Sequence, residues 1–356
     1  MLRTGSAFSS VVFLALLWGC RSSEASISAA PADPSADGGA AVPADAGPEA
    51  DVTTAPVDAA AWEDVLVGLG APFALTVANG RIYFDDAAQG TIESCDEAAC
   101  TASKRFAQVP GTVLSGTLKT LGNDIVFGTP SGIYRANTAT GAIEPLVDRK
   151  MTPTAAFVFG DAVYFADKDA PGGGTVERVV PGQAPQVLAS GVADVRGIHA
   201  DASDVFFSLY GTDDLTRGSL VYRVSAVSPG GAKVKISGTE KLIAAHDIRV
   251  FGDNVHWVGA GGVYRCPRTG CTGPAERLVA ETQLSFEGLG GSLADTALVS
   301  HSRIVRDTSL VTPGVPGRDS DVGAMGQATV TTANYIYIVA SSAPGDGKIA
   351  RRRYRP

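Results

Sequence analysis

The chain has 356 residues and a net charge of −8, from 29 Lys and Arg against 37 Asp and Glu. Residues 1–61 carry two basic and seven acidic side chains, so the remainder is nearly balanced at 27 basic against 30 acidic, which gives no electrostatic case for nucleic acid. Gly (42) and Pro (20) are abundant and charged residues make up only 19%, a mix that favours many short strands and tight turns over helices.

The first elements in chain order are those of export. Arg3 supplies a positive start, Val11–Leu17 an apolar segment, and Leu17-Trp18-Gly19-Cys20 ends it. The apolar run is too short for a spanning helix, which needs roughly 20 residues. Leu17-Trp18-Gly19-Cys20 resembles the lipobox of bacterial lipoproteins, with Trp18 in place of the usual small residue. That resemblance implies a signal peptide over 1–19, a diacylglycerol on Cys20 and anchoring to a membrane through the lipid. Arg21 stands where an Asp would favour inner-membrane retention, so the resemblance implies the outer membrane of a cell envelope. Residues 20–61 are then expected to be a disordered tether, because stretches such as Pro43-Ala44-Asp45-Ala46-Gly47-Pro48 offer almost no large apolar side chain to offset ordering entropy. As a random coil it spans roughly 35–40 Å.

From residue 62 to 356 the sequence repeats. A turn followed by an apolar–aromatic strand recurs, as in Asn79-Gly80-Arg81-Ile82-Tyr83-Phe84-Asp85 and Gly160-Asp161-Ala162-Val163-Tyr164-Phe165. The aligned positions Ile82, Ile125, Val163, Val205, Val255, Ala297 and Ile336 are 43, 38, 42, 50, 42 and 39 residues apart. A following strand repeats in step, including Gly132-Ile133-Tyr134-Arg135 and Gly262-Val263-Tyr264-Arg265. A period near 42 is that of a four-stranded propeller blade. The expected fold is therefore an all-β propeller of seven four-stranded blades. The segment from Trp62 to Val67 reads as an outer strand, and the last repeat lacks one. The N-terminal strand is thus expected to close the last blade and remove two open edges.

Cys95/Cys100 and Cys266/Cys271 share one spacing and one place in the repeat. They read as two hairpin disulfides of an oxidising compartment, the alternative being a four-cysteine metal site. Gly-Val-Tyr-Arg-Cys-Pro-Arg-Thr-Gly-Cys at 262–271 resembles propeller repeats in lipoproteins of myxobacterial type. Tyr83-Phe84-Asp85-Asp86 is similar to the Tyr-Trp-Thr-Asp blades of low-density-lipoprotein-receptor-type propellers. Those receptor rings have six blades, which keeps six open as the alternative count. The resemblance covers about 62–355 and implies architecture, not a catalytic residue.

Signatures of catalysis are missing from the sequence: there is no Gly-x-Ser-x-Gly, no His-Glu-x-x-His and no phosphate loop. His199, His246, His256 and His301 fall at four different repeat positions and read as packing or surface residues. The acidic loops at Asp85-Asp86, Asp167-x-Asp169, Asp213-Asp214 and Asp346 raise calcium as an alternative to no cofactor, yet none completes the Asp-x-Asp-x-Asp-Gly pattern. Arg135, Arg178, Arg223, Arg265, Arg306 and Arg351 share one repeat position. Such a set suits an anionic glycan or phosphate, or, as the favoured reading, ties within each blade. Together these features lead to a non-enzymatic, membrane-anchored binding or scaffold lipoprotein for a protein, peptide or glycan. The alternative is an exported propeller lyase or hydrolase with its site at the axis. That alternative needs polar groups at the axis, where the inner strands read as mostly apolar.

Overall fold

A computed structural model describes residues 61–354, apart from 193, 211–219, 239–244, 293, 295, 301–303, 312–317, 322–325, 342 and 344. Cys20, the tether, Asp213-Asp214 and His301 lie outside the described residues. Every element is a β-strand, and all pair antiparallel. The fold is an all-β propeller, as the period requires.

The first sheet orders Leu75–Ala78, Arg81–Asp86, Thr91–Asp96 and Lys104–Gln108 from inner to outer strand. The second, third and fourth repeat this order with inner strands Lys119–Leu121, Pro153–Phe159 and Val195–Ala200. The last sheet takes Gly326–Thr331, Tyr335–Ala340 and Gly347–Arg353 from the C-terminal end and its outer strand, Glu63–Leu69, from the other end of the domain. Closure by the N-terminal strand is therefore present, with Glu63 opposite Arg351 and Leu69 opposite Gly347.

The expected seven separate blades are not found. Among the described residues there are six connected sheets, the alternative count that the receptor-type resemblance keeps open: five of four strands and one of six strands that spans Ile248 to Asp321. The cause is local. Asn254–Pro267 and Glu276–Gly291 each run without a break. Asn254–Pro267 goes out and back, since Arg268 N donates to Asp253 O at 2.9 Å. Glu276–Gly291 pairs first with that strand and then, past Ser285, with Thr296–Ser300. What would be a loop between two blades stays extended, and the ladder continues through it.

The core lies between sheets. Tyr83 and Ile92 of the first sheet pack with Leu118, Ile125 and Phe127 of the second, and Leu75, Ile82 and Phe84 pack with Tyr337, Val339 and Ile349 of the last. Each four-stranded sheet is too small to hide its own apolar faces, so stacking buries both. Gly132 and Gly262 open corresponding strands at positive φ, and a Cβ at either would collide with the carbonyl oxygen of Val147 or Val279. That is why glycine recurs there in the repeat.

Both disulfides are formed, Cys95–Cys100 and Cys266–Cys271, with Cα separations of 5.2 and 5.3 Å. Each holds a loop against the preceding sheet. In the first, Tyr337 Oη donates to Glu97 Oε1 at 2.8 Å and Arg351 Nη1 to Glu97 O at 2.9 Å. In the second, Cys271 N donates to Ile236 O at 3.0 Å.

Candidate functional site

The inner strands surround an axial cavity of about 460 Å³. Besides hydroxyl side chains, its polar lining is Lys119, Arg196, His246, Asp247, Arg249 and Gln327, each brought in by an inner strand or the connection leading into one. Contrary to the apolar axis expected from sequence, the channel is polar and rich in cations.

Asp247 is fixed from three sides. Its carboxylate accepts from Ile248 N at 2.9 Å and Leu289 N at 3.1 Å, and pairs with Arg249 at 3.1 Å. It thereby ties two successive inner strands together and leaves little free acceptor capacity for chemistry. Arg196 pairs with Asp194 at 3.1 Å and lies 4.9 Å from the Tyr210 ring centre. The His246 ring tilts against the same tyrosine at 5.5 Å, and its carbonyl accepts from Ser208 Oγ at 2.6 Å. Lys119 differs from these residues. It is half-buried and makes no hydrogen bond or ion pair among the described residues. Desolvation, reinforced by the Arg249 charge and opposed by Asp247, pushes its ammonium down to about 8. A channel with three cationic side chains, one of them uncommitted, suits an anionic group.

The six arginines singled out in the sequence sit elsewhere. Each lies on a strand paired with the outer strand of its repeat, so the structure distributes them around the ring and does not gather them. Arg135 pairs with Asp124 and, at 3.2 Å, with Glu144. Arg265 pairs with Glu276 at 2.5 Å, and Arg351 pairs with Glu63. Arg223 reaches Asp204 at 3.6 Å. Arg306 lies opposite Asp319 in register, and Arg178, opposite Gln186, has a buried Nε without a partner. Cross-strand pairing of this kind is blade construction.

Of the histidines, His246 reaches the channel, His199 packs on Phe157 of the preceding sheet, and His256 is buried against Phe251 of its own sheet. Burial pushes both of the latter down to about 4. Among the described residues no group of three or more His, Cys, Asp or Glu is arranged to hold a metal ion.

The channel cations are not evident in the sequence because the repeat is clearest on the second and third strands. The signal was present one strand earlier. The inner-strand position paired with Tyr83, Val126, Tyr164, Phe206, His256, Leu298 and Tyr337 carries Thr76, Lys119, Phe157, His199, Arg249, Leu289 and Val330. Two cations at one inner position are a candidate axial site.

No family model matches the chain, and no curated protein does. Solved structures do. The WD40 propeller domain of Doa1 is similar with TM-score 0.64 at 10% identity, over 83% of this chain and 97% of that one. A catalytically inactive virginiamycin B lyase of Staphylococcus aureus with quinupristin gives 0.61 at 12%, over 83% and 99%. YCF48 bound to D1 peptide gives 0.60 at 10%, over 83% and 96%. At these identities the likeness carries the propeller fold alone.

Proposed function

We propose that this chain is a non-enzymatic lipoprotein, tethered to the outer membrane through Cys20, that presents its propeller face to a protein, peptide or glycan and draws an anionic group of that partner into the axial channel. The observation that carries the binding half is Lys119, an uncommitted ammonium beside Arg249 in a cavity of about 460 Å³. The lipobox-like Leu17-Trp18-Gly19-Cys20 and the two disulfides support export.

An axial lyase or hydrolase is the second reading, and it rests on His246 and Asp247 sharing that channel. The commitments of Asp247 to two backbone amides and Arg249 favour binding. Cross-linking in the native envelope with wild type and Lys119→Met separates the two. Capture of a defined partner that weakens at least tenfold in Lys119→Met supports binding. Loss of no partner on substitution, with turnover of an envelope substrate that depends on His246, overturns it.

A further inference from the structure

One repeat position, apart from Val305 and Ala350 in its last two copies, takes two kinds of residue. In three places it is a tyrosine stacked on the aromatic residue of the neighbouring strand: Tyr134 on Phe127, Tyr222 on Phe207 and Tyr264 on Trp257, with ring centres 5.8, 5.8 and 6.1 Å apart. In the first and third sheets it is a glutamate, Glu93 opposite Phe84 and Glu177 opposite Phe165. Each glutamate has the same company. Thr91 donates to Glu93 at 3.0 Å and Thr175 to Glu177 at 2.7 Å. An aspartate faces each threonine, Asp86 opposite Thr91 and Asp167 opposite Thr175.

In the third sheet the carboxylate pair is filled. Arg149, just after the outer strand Ile143–Asp148, places Nη2 2.6 Å from Glu177 and 3.3 Å from Asp167. The two acids are buried, and the guanidinium is their counter-ion. In the first sheet the corresponding connection follows Glu63–Leu69 and offers Gly70. A Cβ at Gly70 would stand 2.5 Å from Asp86 Oδ1, so the backbone already faces the acid while no side chain enters. What remains is a hollow of about 530 Å³ lined by Gly68, Gly70, Asp85, Asp86, Glu93 and Arg105.

A further carboxylate in that hollow has one oxygen without a partner. Asp85 is 1% exposed; its Oδ1 accepts from Phe73 N and Ala74 N, both at 2.8 Å, and its Oδ2 is buried with no partner. Burial pushes this carboxyl up to about 7. Arg105 lies opposite Glu93 in register, is exposed, and forms no ion pair with it among the described residues.

We propose that the hollow is an open arginine slot: it takes the guanidinium of an arginine side chain on a partner polypeptide, held by Asp86 and Glu93 as Arg149 is held by Asp167 and Glu177. The slot is bordered by Gly68 and Gly70, and the channel by Leu114 and Gly116. Gly70, Leu114 and Gly116 belong to connections from an outer strand to the next inner strand, and Gly68 is the next-to-last residue of its outer strand, so slot and channel share one face. The slot goes beyond the anion reading above and stands without it.

The test is a calorimetric titration of N-acetyl-L-argininamide into the full chain in detergent. One saturable site is expected, weakened at least tenfold by Glu93→Gln or Asp86→Asn, and the neutral citrulline analogue is expected not to bind. Arg105→Ala, which removes a like charge at the rim, should tighten binding. Absence of binding by wild type, equal binding of the citrulline analogue, or unchanged binding by a Glu93→Gln protein with wild-type melting overturns the proposal. Should the acid variants fail to fold, unchanged or weaker binding by Arg105→Ala overturns it. Lys119→Met leaves this titration unaltered, which separates failure here from failure of the channel.

Discussion

The first and third sheets carry the same Asp/Thr/Glu set on the same strands, yet one set is closed by Arg149 and the other stands open beside Gly70. The difference of one side chain turns a structural ion pair into an accessible acidic hollow. Repeat architecture makes such a change cheap, because each sheet contacts only its neighbours and a residue can be withdrawn from one copy while the others keep the ring intact. What is construction in one blade becomes a place for a partner in another.

The comparison is broken most severely at the border of the open site. Deleting 63–69 removes the strand that closes the ring and positions Gly68 and Gly70. Calorimetry should show loss of a single cooperative transition, since the edge of Gly347–Arg353 then lacks its partner. Next comes the closed site. Arg149→Ala leaves Asp167 and Glu177 buried without their counter-ion, at 2% and 3% side-chain exposure. A cost of about 3 kcal/mol is expected in urea denaturation, whereas Gly70→Ala, beside the open copy, should cost less because its obstacle is a carboxylate able to turn.

The disulfides sharpen the same contrast between copies. Replacing either cysteine pair by serine should lower stability by about 2 kcal/mol. Loss of Cys95–Cys100 should also free the loop whose Glu97 latches Tyr337 and Arg351 on the closing sheet, visible as faster amide exchange there. The smallest effect concerns pH. His256 is fully buried, neither ring nitrogen has a partner, and burial pushes it down to about 4. The unfolded chain therefore takes up a proton below its ordinary value near 6.5 that the folded chain refuses. Stability is complete above that pH and is lost as pH falls toward 4. His256→Phe should remove about 1 kcal/mol of this acid sensitivity at pH 5.5, measured from denaturation midpoints at pH 5.5 and 7.5.

Much of this was readable from residues alone. The period of aligned Ile and Val positions pointed to a propeller, the segment after Trp62 to an outer strand for the last repeat, and the cysteine spacing to hairpin bridges over a four-cysteine metal site. The sequence left six as the alternative to seven and did not decide between them, because residues 281–284 carry no Gly, Pro, Asn or Asp to mark a turn or an extended run, and the structure keeps them within one strand. The channel was missed for a different reason. Lys119 and Arg249 occur in short inner strands of three and four residues, too brief to show alternation, and they acquire meaning only when the register stacks them at one position. The arginine position was legible as a repeat, and its pairing with Glu144, Glu276 and Glu63 follows from register alone.

The most direct measurement of the relation between the two acid pairs is chemical rescue of Arg149→Ala. Thermal melts are recorded with rising N-methylguanidinium at constant ionic strength, beside the same melts for Arg149→Ala/Glu177→Gln. A saturable recovery of melting temperature in the single variant, absent in the double, is the predicted result, since it shows that this carboxylate pair takes up a free guanidinium when its own is withdrawn. No recovery, or equal recovery in both, would contradict the account.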